Sequence, residues 1–220
     1  MKKHFICLAN SFKYKGRCLA GIEVEFNNAK FSPLKNEDGT PKWIRPVSRE
    51  EHGELSTQET QKIYMLDIVE IEVTENCPKF AQSENVYYTS LIKGGKKYER
   101  NEKGLNDLCN LTNSDLLFNR RRSIPTDVFQ QSGYSLIFIK ASNCTFYNDE
   151  KARLRVKFSY NDTDYDLPVT DPAFINFMEM IGLVNLNTTK NYYFTISLGE
   201  EYEGSHYKLV AGVIFLPKEA

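Results

Sequence analysis

Apolar and polar residues alternate along much of this chain, and helical periods are scarce. Leu154, Val156 and Phe158 alternate with Arg153, Arg155 and Lys157. That period of two predicts a strand over 152–160 with one buried face and one cationic face. Segments 134–141, 164–169, 192–198 and 207–216 also read as strands, rich in aromatic and β-branched residues. Asn161 and Asp162 provide a turn between two of them. One helical period interrupts the series. Ala173, Phe174, Phe177, Met178 and Ile181 fall on one face, Asp171 and Pro172 suit the cap and first position, and Gly182 suits the stop.

Three strands, a helix and two strands is the order of an OB-fold, a five-stranded barrel with a helix between its third and fourth strands. The N-terminal half is less regular. Residues 5–9 form an apolar run ended by Asn10 and Ser11, and 17–26 a second strand after a turn with two lysines. The stretch 27–42 is polar. Residues 43–47 predict a third strand, placed at a sheet edge because Pro46 cannot donate to a ladder. Residues 49–62 read as a charged loop. Residues 65–73 predict a strand with one acidic face, stopped by Cys77-Pro78, and 86–88 a short one. Lys93-Gly94-Gly95-Lys96-Lys97 reads as a flexible basic turn. Leu105, Leu108, Leu111 and Leu116 lie near helical spacing, interrupted by Asn113-Ser114, so one or two short helices are expected. The pattern predicts a mainly β protein with minor α content: two OB-like five-stranded barrels packed through the basic middle segment. An N-terminal OB-like domain with a basic extension would cover 1–120, and a C-terminal OB-fold 121–220.

A chain of 220 residues accommodates that arrangement. A net charge of −1 gives no global field to attract polyanions. The charge is unevenly spread: residues 86–125 carry eight Lys and Arg against four acids, and residues 126–220 carry eight against twelve. A basic segment between less basic parts suits either a binding seam or a solvated linker. The five cysteines are scattered and form no Cys-x-x-Cys pair, which argues against a zinc ribbon and for a reducing, cytoplasmic setting. No stretch approaches membrane-spanning length.

Catalytic signatures are missing from the sequence. The three histidines have no metal-ligand spacing, and the Gly94-Gly95-Lys96-Lys97 stretch is not a phosphate-binding loop. Neither an enzyme nor a cofactor is expected. Cations and aromatics on strands and loops favour binding. Single-stranded nucleic acid is the first candidate partner, with Trp43, the only tryptophan, as stacking platform. Arg17, Arg45, Arg120, Arg121 and Arg122 would contact phosphate, with Lys208 beside Tyr207 as a further cation. A buried Trp43 would instead pin a strand end. The near-zero charge also suits an adaptor that binds a partner protein or peptide along a sheet edge.

Several runs resemble the dual OB-containing domain family. In the N-terminal half these are Ile6-Cys7-Leu8-Ala9-Asn10-Ser11, Gly16-Arg17-Cys18-Leu19-Ala20-Gly21, Trp43-Ile44-Arg45-Pro46-Val47-Ser48 and Leu66-Asp67-Ile68-Val69. In the C-terminal half they are Pro168-Val169-Thr170-Asp171-Pro172, Ser197-Leu198-Gly199-Glu200 and Tyr207-Lys208-Leu209-Val210-Ala211. The resemblance implies two OB-like barrels, a prokaryotic source, and nucleic-acid binding in conflict or defence systems.

Overall fold

The structure is a computed structural model that describes residues 1–27, 30–110, 115–183 and 190–217. Its strands form two six-stranded sheets. The first contains β1 (Lys2–Lys13), β2 (Gly16–Asn27), β3 (Lys30–Pro33), β4 (Trp43–Pro46), β5 (Asp67–Asn76) and β6 (Asn85–Lys97). Pairing runs β1–β2–β4–β6–β5 and back to β1, so five strands close on themselves, with β3 added beside β2. The one parallel pair is β4 with β6. This is the OB ladder, first strand to second, third, fifth, fourth and back.

The second sheet contains β7 (Ser123–Pro125), β8 (Leu136–Asn148), β9 (Leu154–Tyr160), β10 (Thr163–Pro168), β11 (Lys190–Tyr202) and β12 (Ser205–Pro217). Its order is β10–β9–β8–β11–β12–β7. A parallel bridge from Val169 to Val210 brings the end of β10 to β12, the same OB closure reduced to one contact. Between β10 and β11 lies α4 (Pro172–Ile181), whose cap Asp171 accepts from the amides of Ala173 and Phe174 at 3.0 and 3.1 Å. Asn161 and Asp162 turn β9 into β10 with φ of 47° and 56°, a left-handed geometry that short polar side chains tolerate.

Several expectations need correction. Asn10 and Ser11 do not end the first strand. Asn10 is buried and its amide donates to the carbonyls of Thr60 and Ile63 at 2.9 and 2.8 Å, so β1 continues to Lys13. Pro46 does not mark an edge: β4 lies between β2 and β6. In the parallel ladder the donors toward β6 come from its neighbours, Arg45 to Glu84 at 2.9 Å and Val47 to Val86 at 3.0 Å, so the missing proline N–H costs nothing on that side. The Lys93–Lys97 stretch is strand rather than turn, because β6 stays paired with β5 as far as Lys97 opposite Asp67. The charged 49–62 loop contains one helical turn, α1 (Thr57–Thr60), capped by Ser56. The expected short helices are α2 (Glu102–Leu108) and a 3₁₀ turn at Leu116–Phe118, while Leu111 and Asn113-Ser114 lie outside the described residues. A further helix, α3 (Thr126–Gln131), precedes β8.

The barrels do not meet mainly through the basic segment. The outer face of β1 and β2 (Ile6, Leu8, Ile22, Val24) packs on Phe138, Tyr193, Ile214 and Leu216 of the second sheet. From the middle segment Leu105 and Leu108 of α2 join that layer, with Tyr98 and Cys109 packed against it. Each such side chain contributes about 1.5–3 kcal/mol when fully buried. Gly212 allows the closest approach, since a Cβ there would stand 2.1 Å from the Leu8 carbonyl oxygen. Thr195 Oγ1 donates to that same carbonyl, and the Phe12 amide donates to Thr170 at 2.9 Å.

Candidate nucleic-acid interface

The basic turn at 120–122 rests on the second barrel. Two bulky residues just before it, Leu117 and Phe118, adopt positive φ of 44° and 78°. Such conformations cost about 1–3 kcal/mol each and persist only where the surroundings fix them. Packing fixes them, Leu117 fully buried in the core and Phe118 on the Tyr134 ring at 4.6 Å. Asn119 shapes the turn that follows: its Oδ1 accepts from the Arg121 amide at 2.9 Å and its Nδ2 donates to the Ser123 carbonyl at 3.0 Å. Lys208 supports Asn119 from below. Its Nζ donates to the Asn119 carbonyl at 2.6 Å and to Oδ1 at 2.9 Å, and its backbone amide donates to Arg122 at 2.9 Å.

Alternation on β9 provides the floor. Leu154, Val156 and Phe158 point into the barrel, which leaves Arg155 and Lys157 facing outward. Arg155 Nε donates to Asp166 Oδ1 at 2.9 Å, and Tyr147 OH donates to the same carboxylate at 2.8 and 2.9 Å. Arg122 Nη2 reaches Asp166 Oδ2 at 3.1 Å, tying the turn to β10. Lys157 Nζ stands 5.3 Å from the centre of the Tyr147 ring. Burial weakens the Arg155 charge, but Tyr147 and Asp166 outweigh it and raise its pKa. Arg120, Arg121, Arg122 and Lys157 line a groove of about 490 Å³ against Asp164 and Asp166, and Arg155 and Tyr147 hold its Asp166 wall. Four cations over two carboxylates leave it net positive in a chain whose total is −1.

The seven residues named from sequence do not form one site. Arg120, Arg121 and Arg122 are exposed on the groove. Lys208 belongs to the same feature from beneath: only 1% exposed, it holds the turn rather than touching its surface, and burial lowers its pKa to about 8. Arg45 is 2% exposed and pairs with Glu84 Oε1 at 2.9 Å and Ser135 Oγ at 3.0 Å, so its charge is committed between the barrels. Arg17 lies over the Phe12 ring at 4.6 Å with Nε and Nη1 buried; burial lowers its pKa and Asp171 opposes that. Trp43 is half-buried, packed against the layers between the barrels, with one side on a separate cleft. Asn119, Tyr147 and Asp166 escaped the sequence reading. The arginine run and the cationic face of 152–160 were what pointed to this region.

Among the described residues no cluster of His, Cys, Asp or Glu could hold a metal ion, and no helix is long and apolar enough to cross a membrane. None of the five cysteines forms a disulfide, and burial raises the thiol pKa of Cys109 to about 12, leaving it a poor nucleophile.

Strand order and closure make this a mainly β protein of two OB-like units. The dual OB-containing domain family matches residues 3–213, and the chain belongs to that family. Among solved structures, the Ifi202 HINa domain, in a crystal complex with 20-bp double-stranded DNA, aligns at 8% identity. That alignment covers 100% of this chain and 97% of the other, with a TM-score of 0.38. A structure described as the molecular basis for abrogation of activation of pro-inflammatory cytokines aligns at 7% identity over 98% and 92%, with a TM-score of 0.35. At these scores neither bears on function. No curated protein matches the chain.

Proposed function

We propose that this protein is a non-enzymatic module that binds single-stranded nucleic acid along the β9–β10 face of its second barrel. The observation that carries the reading is the arginine turn held over that face by Lys208 and Asn119. OB-folds use the face of their second and third strands, here β9 and β10, to bind oligonucleotides. A cationic channel beside half-exposed rings is the general chemistry of sequence-tolerant single-strand binding. Tyr147, half-buried and bonded to Asp166 on the groove wall, supplies such a ring. Phosphate contacts fall to Arg120, Arg121, Arg122 and Lys157. Arg45 and Lys208 act from inside, and Trp43 has no part in this groove. The prokaryotic conflict or defence setting implied by the family resemblance belongs to the same reading.

The test is fluorescence anisotropy of a labelled single-stranded 20-mer, competed with unlabelled single strand and with duplex. Binding at low salt that single strand competes for better than duplex is the expected result. Absence of binding at low salt would overturn the proposal. Recovery of one protein partner that survives nuclease and high salt would then favour the adaptor.

A further inference from the structure

A second cavity, about 710 Å³, lies between the barrels and is separate from the arginine groove. That volume suits a small planar ligand, and domain interfaces are where such pockets concentrate. Trp43 lines one side from β4, and Tyr134, 37% exposed, lines another from the segment before β8. Ser83 Oγ donates to the Gly133 carbonyl at 2.7 Å and ties the two walls together.

The wall also holds a buried carboxylate with one oxygen unused. Glu84 is 8% exposed. Its Oε1 receives both Arg45 Nη2 at 2.9 Å and Ser135 Oγ at 2.6 Å, while Oε2 has no partner among the described residues. A carboxylate fixed in this way is an acceptor waiting for an N–H donor. Glu23, the other buried carboxylate on the cavity, is occupied by Lys3 at 3.0 Å on both oxygens. The cations at this cavity are already paired, Lys3 and Lys42 with Glu23 and Arg45 with Glu84, and Asp38 adds a further negative charge, so its interior does not favour a phosphate. The phosphate of an occupant therefore stays outside. The Tyr134 ring packs on Phe118 at 4.6 Å, two positions before Arg120, which puts the Tyr134 wall of the cavity next to the segment that leads into the arginine turn.

We propose that this cavity is a nucleobase pocket that takes one unpaired base bearing an exocyclic amine. The amine of cytosine, adenine or guanine donates to Glu84 Oε2, the base lies between Trp43 and Tyr134, and its backbone continues to the groove. Carboxylates accept from such amines, whereas uracil and thymine carry no exocyclic amine and present only a ring N3–H between two carbonyl oxygens that a carboxylate repels. The choice of ligand class rests on the nucleic-acid reading of the groove; the cavity and its acceptor do not.

Trp43 is the only tryptophan, so its emission reports occupancy directly. Titration of the intact protein with cytidine or adenosine should shift that emission saturably, with uridine weaker by about tenfold. Tyr134→Ala removes a ring that is 37% exposed and should weaken cytidine by roughly five- to a hundredfold, the range for one lost stacking partner. Replacing Arg120, Arg121 and Arg122 by Gln should weaken oligonucleotide binding and leave cytidine unchanged. A shift with cytidine in a protein that binds no oligonucleotide would remove the groove and keep the pocket. An equal response to uridine overturns the amine contact. No response to any nucleoside in the wild-type protein overturns the pocket. A response to N-acetyl-arginine amide alone would assign it to a cationic peptide side chain instead.

Discussion

Replacing Lys208 by Met tests whether the arginine turn is held from beneath. The substitution keeps most of the side-chain volume and removes the ammonium that donates to Asn119 at 2.6 and 2.9 Å. Hydrogen bonds from a charged donor contribute about 1.5–3 kcal/mol each when one partner is deleted. Against that loss stands relief of a buried charge. The fall in the Lys208 pKa from 10.5 to about 8 corresponds to about 3 kcal/mol of penalty on the charged form. The two nearly offset, so Lys208→Met should change stability at pH 7 by only about 1–2 kcal/mol. The pH dependence is the sharper signal. Between pH 8 and 10.5 the unfolded chain holds the Lys208 proton and the folded protein has lost it, so this group makes the wild type more stable as pH rises. Urea unfolding at pH 7 and pH 10 should show a wild-type gain of up to about 3 kcal/mol relative to Lys208→Met. Oligonucleotide affinity should drop several-fold in the variant, with an unchanged salt slope, because no exposed charge is removed. Equal pH dependence in both proteins, or unchanged affinity, would refute a positioning role.

Other consequences are open to measurement. Glu84→Ala leaves Arg45 charged and unpaired between the barrels, which should cost about 3–5 kcal/mol in thermal or urea unfolding. Gly212→Ala places a methyl 2.1 Å from the Leu8 carbonyl oxygen and should separate the barrels or prevent folding, seen as a loss of cooperative unfolding. Asp171 has its pKa raised by burial to about 6, despite amide bonds from Ala173, Phe174 and Val213 that favour its charge. A raised acid pKa stabilises the fold fully below the unfolded value near 3.8, and that contribution is lost as pH climbs through about 6. Relative to Asp171→Asn, the wild type should therefore gain up to about 3 kcal/mol between pH 7 and pH 4.

The second barrel was more legible in the sequence than the first because its signals are local. The alternation of 154–158, the turn at Asn161-Asp162 and the cap at Asp171 each act within a few residues and survived into the structure. The first barrel depends on distant partners. Asn10 looks like a strand stop until Thr60 and Ile63 accept its amide. Pro46 looks like an edge residue until a parallel neighbour draws its donors from Arg45 and Val47. The site residues follow the same rule. Arg120, Arg121 and Arg122 form a contiguous charged run with no apolar pattern to bury them, and they are exposed. The burial of Arg45 is set by Glu84 in the turn before β6, and that of Lys208 by Asn119, 89 positions away. Residue type showed that these cations matter, and only the topology showed which of them face solvent.

The salt dependence of single-strand binding tests the central claim most directly. Each phosphate contact on a single strand contributes about −0.7 to the slope of log affinity against log salt. The Arg120→Gln, Arg121→Gln, Arg122→Gln triple variant should therefore bind more weakly and lose about two units of slope relative to the wild type. A wild-type slope that the triple variant retains in full would place the phosphates elsewhere and contradict the assignment of the β9–β10 face.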